Sequence, residues 1–166
     1  MPRKPTNIPA QQRTTYGTSH AVRLSDHPYA GPDAIHLTIC AHAGKPFTND
    51  ALAHAICNAV ERACELKGYN LYGYCLMPNH LHVLLSSGDS DIPIETWLQS
   101  FKGFTTNWHA KHGGTAPLWQ RSAFDHVCRR NETVQTVLAY ILENPVRADL
   151  VENAADWRWS KSFVDL

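Results

Sequence analysis

Hydrophobic positions change their spacing several times along the chain, and each change marks a predicted element. Residues 34–41 (AIHLTICA) form a short, β-branched run that predicts a strand. From Asn49 the apolar residues recur at helical spacing, and Gly68 supplies a signal for the helix to end. Residues 69–76, which are rich in tyrosine, and residues 80–85 predict two further strands joined by a tight turn.

The second half of the chain continues this alternation. Asp91 and Pro93 stand in the order of a helix cap and a first-turn proline, and they predict the start of a second helix. Residues 118–129 predict a fourth extended stretch, and residues 132–143 predict a last helix that Pro145 closes. The apolar stripe of the second helix consists of Ile94, Trp97, Leu98, Phe101, Phe104 and Trp108.

The predicted elements follow the order β-α-β-β-α-β, with an extra C-terminal helix. This order is that of the α+β, ferredoxin-like fold, in which the strands form one antiparallel sheet. We expect a single domain over residues 31–166. Residues 1–30 are rich in Pro, Gln, Thr, Ser and Arg without a sustained period, and they predict a mobile, basic leader.

Composition narrows the class of protein. Hydrophobic residues make up 43% of the 166 residues, which excludes a wholly disordered chain. No apolar run approaches the roughly 20 residues of a membrane helix, and the first residues contain no apolar segment typical of a secretory signal. The five cysteines include no Cys-x-x-Cys pair. We therefore expect reduced thiols, a cytoplasmic location and no membrane partner.

The formal net charge of zero argues against a nucleic-acid binder, but the charges are unevenly placed. Residues 102–130 carry five bases and one acid, a net charge of +4, between two segments that each carry −3. This segment also contains Trp119, which suits either stacking on a base or a place in the core. A solvated basic face is the alternative to a phosphate-binding one. The five bases are Lys102, Lys111, Arg121, Arg129 and Arg130.

His80 and His82 flank Leu81 on the third predicted strand. Because strand side chains alternate, both imidazoles are expected on one face of the sheet, with their Cα atoms roughly 7 Å apart. This spacing suits two ligands of one metal ion, and it also suits a satisfied polar pair or an exposed face. The spacing alone leaves both interpretations open.

Tyr140 and Asn144 lie four residues apart on the last predicted helix and therefore on one side of it. Tyr140 is expected beside the core-facing stripe, where it is either a packing residue or a nucleophile. Asn144 precedes Pro145 and is either a helix-ending residue or a metal ligand through its amide oxygen. A tyrosine hydroxyl, two imidazoles and an amide oxygen together suit phosphodiester transfer assisted by a divalent ion.

Three motifs resemble one family. In order and spacing they are similar to the single-tyrosine HUH transposases, and in particular to the REP-associated tyrosine transposases. The resemblance covers about three quarters of the chain. Asp149 departs from the pattern, since many members carry glycine there, which concerns the turn and not the chemistry. The motifs are YCLMPNHLHVLL (74–85), LWQR (118–121) and YILENPVRADLV (140–151).

The resemblance implies a role for each matched residue. His80 and His82 would be metal ligands, Tyr140 the nucleophile and Asn144 the third ligand, with Mg²⁺ or Mn²⁺ as the cofactor. The family binds single-stranded palindromic repeats as hairpins and nicks nearby, forming a 5′-phosphotyrosine and a free 3′-hydroxyl. Both a monomer and a homodimer suit this function. The bases of segment 102–130 and Trp119 become candidate DNA contacts.

Two rival functions fit part of the sequence. His36-Leu37-Thr38 is similar to one arm of a metal-free two-histidine phosphoesterase, although the second arm would have His82 where a hydroxyl belongs. A domesticated protein that binds DNA hairpins with little cleavage is the other alternative. The intact set of His80, His82, Tyr140 and Asn144 favours the transposase over both.

Overall fold

A computed structural model describes residues 33–115, 117–128 and 132–166 of the chain. The predicted leader, residues 1–30, lies outside the described residues, as do Arg129 and Arg130. The elements follow the predicted order and continue beyond it with a short fifth strand. They are β1 (Ile35–Cys40), α1 (Asp50–Lys67), β2 (Asn70–Met77), β3 (His80–Ser86), α2 (Ile94–Lys111), β4 (Phe124–Val127), α3 (Val134–Leu142), α4 (Asn144–Arg147) and β5 (Ser160–Ser162).

One antiparallel sheet joins the five strands in the order β4-β1-β3-β2-β5. β3 inserts between β1 and β2, which α1 connects, and this split β-α-β arrangement confirms the predicted ferredoxin-like fold. β2 and β3 form the predicted hairpin. β5 was not predicted, because three residues (SKS) of little strand propensity carry no periodic signal and are recruited by pairing with the edge of β2.

Two helices cover the first face of the sheet, which holds the larger core. Leu37 and Ile39 of β1 lie in this core with Leu81 and Val83 of β3. α1 contributes its buried apolar side, and its ends carry the expected signals: the Asn49 side chain accepts a hydrogen bond from the Leu52 amide (2.9 Å), and Gly68 is left-handed at φ 70°. α2 contributes two large, fully buried side chains, Trp97 and Phe101, whose rings stack with their centroids 5.4 Å apart.

The opposite face of the sheet, which we call the second face, carries a smaller core under α3. Val137, Leu138 and Ile141 of this helix pack against Cys75 of β2 and Leu84 of β3. Since strand side chains alternate, the residues on β1 and β3 that point away from the larger core also point to this face. The second face is therefore where α3 meets the polar side chains of the central strands.

The start of α2 differs from the prediction. Its N-cap is Pro93, which makes no side-chain capping bond, and Asp91 does not cap the helix. Burial of Ile94 and Trp97 against the sheet fixes this helix end by packing rather than by a cap. Phe104 was predicted in the core stripe but is 59% exposed, because it lies on the side of α2 that faces away from the sheet.

The C-terminal third also departs from the sequence prediction. Of the predicted extended stretch 118–129, residues 118–128 are described, and within them only Phe124–Val127 forms a strand, while Trp119 makes an isolated bridge with Ala41. Pro145 does not end the helical course, because α4 places it in its first turn, where no amide donor is needed. Asp149 has φ 55°, the left-handed region that favours glycine, which agrees with the glycine expected there from the resemblance. No helix among the described residues is long and apolar enough to cross a membrane.

Gly73 allows the close approach of β2, β5 and α3, and we expect Gly73→Ala to be destabilising. A Cβ atom there would lie 2.5 Å from Leu138 Cδ1 and 2.7 Å from the Lys161 carbonyl oxygen. Overpacking of this kind costs about 1–3 kcal/mol in the free energy of unfolding, measured by urea denaturation. The control is Gly103→Ala on the exposed side of α2, where a Cβ meets nothing within 4 Å. It should stabilise by about 0.5–1 kcal/mol, and equal effects of the two changes would contradict the packing.

Candidate active site

The two histidines of β3 lie together on the second face. Leu81 between them is buried in the larger core, so His80 and His82 both project to the opposite side. The antiparallel register sets Thr38 of β1 opposite His82 and Cys40 opposite His80. The two Nε2 atoms are 3.0 Å apart, with the rings edge to face. The two imidazoles thus lie side by side on one face of β3, as their spacing in the sequence predicts.

Each imidazole is held from its other nitrogen. His80 Nδ1 donates a hydrogen bond to Asn79 Oδ1 at 2.7 Å, which leaves a lone pair on Nε2 of a neutral ring. His82 Nδ1 lies 3.0 Å from His36 Nε2 and 3.1 Å from Thr38 Oγ1. Burial lowers the pKa of His80 and of His82, so both rings are neutral at neutral pH.

His36 lies beneath this pair. It is 3% exposed, and burial together with the nearby His126 lowers its pKa to about 4. A side chain so buried does not reach a substrate in the cleft. His36 therefore cannot act as the first arm of a two-histidine phosphoesterase, although the structure does place His36 and Thr38 beside His82.

α3 brings the tyrosine to the same place. Its buried residues face the sheet, and Tyr140 at the helix edge remains 44% exposed. Asn144 begins α4, one turn further on. Both residues line a cleft of about 440 Å³ whose walls also include the two histidines of β3. The remaining lining residues are Thr38, Cys40 and Phe124.

The C-terminal turn fixes how Tyr140 and Asn144 are presented. The Arg147 guanidinium donates to the Tyr140 carbonyl oxygen at 2.7 Å, and its central carbon lies 4.0 Å from the centroid of the tyrosine ring. Asn144 Nδ2 donates to the Ile141 carbonyl oxygen at 2.8 Å. Within the described residues, the Asn144 amide oxygen accepts no hydrogen bond, so the atom that could bind a metal is available.

The donor set fits one divalent cation. Ligands on adjacent corners of an octahedron lie about 3.0 Å apart when each is about 2.1 Å from the ion, and the two Nε2 atoms have this separation. In the described part of the chain, no three His, Cys, Asp or Glu side chains are grouped to hold a metal. Among the described residues, Asn144 lines the cleft with the histidines, and its amide oxygen is a candidate third ligand.

Comparison with known proteins places this fold and cleft in a family. Residues 33–144, which include both histidines and Tyr140, match the family model described as "Transposase IS200 like". The chain belongs to the IS200-like transposase family. The match spans strands β1 to β4 and α3, and it ends at Asn144, the last residue of the candidate site.

Individual relatives agree with this assignment. A REP-associated tyrosine transposase of Escherichia coli K12 is 29% identical over 111 residues, which are 66% of this chain and 64% of the relative. A Haemophilus influenzae protein provisionally named as one is 24% identical over 119 residues, 66% of this chain and 68% of the relative. The chain thus spans about two thirds of the length of these relatives.

A solved structure agrees in fold. The structure of a REP-associated tyrosine transposase bound to a REP hairpin has a TM-score of 0.68 with 18% sequence identity, covering 81% of this chain and 79% of that one. The resemblance to REP-associated tyrosine transposases, inferred from the three motifs, is confirmed.

The candidate DNA contacts of this transposase-family chain separate into two groups. Lys111 and Arg121 are exposed, and Arg129 and Arg130 lie outside the described residues. Lys102 instead folds onto the loop before β4, where its ammonium group donates to three carbonyl oxygens at 2.9–3.3 Å. The charge of Lys102 is therefore engaged within the protein.

Trp119 was a candidate stacking platform, and the structure corrects this hypothesis. The residue is only 6% exposed, and its ring packs between Phe47 at 4.8 Å and Phe101 at 5.5 Å. Its indole nitrogen donates to Thr105 Oγ1 at 2.8 Å. Trp119 therefore belongs to the core, which was the alternative that the sequence left open.

Three residues around the cleft have roles that the sequence did not indicate: His36, which was considered only as a phosphoesterase arm, and Asn79 and Arg147. His36 shares a face with Thr38 by strand alternation, but only the β1–β3 register reveals that this face meets His82. Asn79 was assigned to the turn alone. Arg147 lies seven residues after Tyr140, which is two helical turns, and this spacing could have indicated a contact with the tyrosine.

We expect Lys102→Met to lower stability without a specific loss of DNA affinity. Removing the ammonium leaves three carbonyl oxygens without their donor, and a partly buried charged hydrogen bond is worth about 1–3 kcal/mol. Thermal unfolding measures the change, with Lys111→Met on the exposed end of α2 as the control. Weaker hairpin binding by Lys102→Met at unchanged stability would contradict the structural role.

Proposed function

We propose that this protein is a metal-dependent endonuclease and strand transferase that cuts single-stranded DNA beside palindromic hairpin repeats through a 5′-phosphotyrosine intermediate. One observation carries the proposal. The exposed hydroxyl-bearing ring of Tyr140 lines the same cleft as the convergent Nε2 atoms of His80 and His82. A nucleophile beside a cation-binding pair is the arrangement that phosphodiester transfer requires.

The chemical step assigns a role to Tyr140. Its phenolic oxygen attacks the scissile phosphorus, an O–P bond forms, and the bond from phosphorus to the 3′ oxygen breaks. The electron pair leaves on the 3′ oxygen, which takes up a proton, while the phenol loses one. The phosphotyrosine ester conserves the energy of the broken bond, so a 3′-hydroxyl can later attack it and restore a DNA strand.

Arg147 is placed to assist the tyrosine. Its guanidinium lies against the ring and donates to the Tyr140 backbone, which supports a fixed orientation of the side chain. Correct orientation contributes to the rate because the attack must be in line with the leaving oxygen.

We propose Mg²⁺ or Mn²⁺ as the cofactor, with His80, His82 and Asn144 as its protein ligands. Imidazole nitrogen and amide oxygen are both ligands that Mn²⁺ accepts, and Mg²⁺ tolerates them when water completes its shell. When bound, the ion would neutralise charge on the scissile phosphate and orient it. The chain's own contribution is to hold the two imidazoles from their Nδ1 atoms.

For the substrate we propose a hairpin of single-stranded DNA, acted on by a cytoplasmic monomer or homodimer. The structural relative bound to a REP hairpin supports this class of ligand. The cysteines of the chain are free thiols, which fits a reducing compartment. Lys111, Arg121, Arg129 and Arg130 remain proposed phosphate contacts. The zero net charge indicates weak binding to long duplex DNA, so hairpin shape must supply much of the selectivity.

Tyr140→Phe should abolish the covalent adduct and leave hairpin binding unchanged. The variant lacks the attacking oxygen but keeps the ring and its contact with Arg147. Incubation with Mn²⁺ and a labelled single-stranded hairpin repeat taken from the DNA flanking the gene, followed by denaturing electrophoresis, measures the adduct. Tyr72→Phe is the matched control: this tyrosine packs against the core of the second face, and its hydroxyl bonds Ser86 Oγ at 3.0 Å.

Three outcomes would contradict the proposed activity. The first is an adduct in Tyr140→Phe, which would assign another nucleophile. The second is tight hairpin binding by the wild-type protein with no adduct on any flanking repeat, which would favour the domesticated DNA-binding protein. Nicking that survives both EDTA and Tyr140→Phe would favour a metal-free phosphoesterase.

His80→Ala should abolish Mn²⁺ binding and cleavage while leaving the fold nearly intact. His80 is the first residue of β3, is partly exposed and is not packed in either core, so its removal opens no large cavity. Electron paramagnetic resonance of Mn²⁺ measures binding in the absence of DNA, and thermal unfolding measures stability. His42→Ala, at an exposed position after β1, is the control and should retain both properties. A large loss of stability in His80→Ala would show that the residue is structural.

A further inference from the structure

We propose that His36 and Thr38 are positioning residues that keep the His82 proton on Nδ1, so that the Nε2 lone pair points into the cleft. This inference rests on the proposed metal-dependent function and concerns how β1 prepares one ligand of that site. The His36-Leu37-Thr38 motif, which a two-histidine phosphoesterase would use on its substrate, acquires a different role here.

The β1–β3 register creates the contact. Thr38 is the cross-strand partner of His82, and His36 lies two residues along β1 on the same face. His36 Nε2 and Thr38 Oγ1 therefore approach one atom, His82 Nδ1, at 3.0 and 3.1 Å. The rings of His36 and His82 are 5.1 Å apart and tilted by 46°. We assign both atoms as acceptors, which requires His36 to carry its own proton on Nδ1, and two acceptors on one nitrogen favour a proton on that nitrogen.

The position of this proton decides whether His82 can bind a cation. His80 already presents a lone pair at Nε2, because its Nδ1 donates to Asn79. With its proton on Nε2, His82 would donate a hydrogen bond to His80 Nε2 across the 3.0 Å that separates them. Neither Nε2 atom would then have a lone pair available for a cation. With its proton on Nδ1, His82 donates to His36 and Thr38, and both Nε2 lone pairs are available to one ion. Acceptors at Nδ1 shift the balance to the second tautomer.

His36 is connected to the cleft through His82. It is nearly fully buried between β3 and β4 and does not line the cleft. His126 of β4 is its cross-strand partner, and His126 in turn bonds Glu132 Oε2 at 2.9 Å. These neighbours hold the His36 side of the sheet in place. Thr38 does line the cleft, but its hydroxyl is directed to His82 Nδ1.

The test measures Mn²⁺ affinity of the DNA-free protein in two pairs of variants. His36→Leu and Thr38→Val remove the acceptor at nearly constant size, whereas His36→Gln and Thr38→Ser retain an acceptor oxygen. We expect the first pair to weaken Mn²⁺ binding about 10–100-fold, the usual effect of losing a partner behind a ligand, and the second pair to stay close to wild type. Excess Mn²⁺ should restore adduct formation in the weakened variants.

A second readout follows the tautomer directly. Nitrogen-15 NMR of labelled histidine distinguishes protonated from unprotonated Nδ1, and His82→Asn identifies the His82 signals. We expect the Nδ1–H form of His82 to lose population in Thr38→Val, a change that leaves the buried His36 in place. This measurement keeps the inference testable if His36→Leu does not fold.

The outcomes separate this inference from the proposed function. Unchanged Mn²⁺ affinity and an unchanged His82 tautomer in Thr38→Val and His36→Leu, with binding still lost in His80→Ala, would overturn the positioning role alone. A wild-type protein that binds no Mn²⁺ would overturn the metal site and this inference together. Equal weakening by Thr38→Ser and Thr38→Val would also overturn it, since the hydroxyl would then not matter.

Discussion

The register between β1 and β3 is the constraint on which the site depends. It is fixed by apolar residues: Leu81 and Val83 face the larger core with Leu37 and Ile39. The residues that alternate with them on β3, His80 and His82, therefore lie on the second face. A slip of one residue would turn His80 and His82 into the apolar core and Leu81 out of it, which costs far more than any polar contact could return. The same register brings His36 and Thr38 to His82. Packing on one face thus determines the chemistry on the other.

The tyrosine depends on a second, weaker constraint. α3 is held by three apolar side chains over Cys75 and Leu84, and this smaller core sets the angle at which the helix edge meets the strands. Tyr140 therefore points along the second face and not into it. α4 then returns Arg147 over the tyrosine ring. Because Pro145 breaks the hydrogen-bond ladder but permits a new helical turn, the turn that contains Asn144 and Arg147 keeps a fixed relation to Tyr140.

Periodic features of the chain were predictable and features made by distant contacts were not. The alternation around Leu81 and the four-residue spacing of Tyr140 and Asn144 are local, so the sequence suffices to place each pair on one face. The meeting of His36 with His82, separated by 46 residues, exists only once the sheet forms. Trp119 is a second example of a role set by distant contacts. Its basic sequence neighbours suggested a surface for base stacking, but in the fold its ring packs against Phe47 and Phe101 in the core.

The structure limits how many bases of segment 102–130 are available to contact phosphates. Segment 102–130 carries five bases, but the Lys102 ammonium is bonded to three carbonyl oxygens, so at most four cations of this segment can face a phosphate backbone. Each phosphate contact adds about 0.9 to the slope with which the logarithm of affinity falls against the logarithm of salt concentration. Four contacts therefore give a modest dependence on salt and a modest affinity for any duplex. Under the proposed function, selectivity for a hairpin would then come from shape and from base contacts, which salt screens far less. A transposase that must leave most of the chromosome untouched is served by a weak electrostatic term, because non-specific sites compete through that term alone.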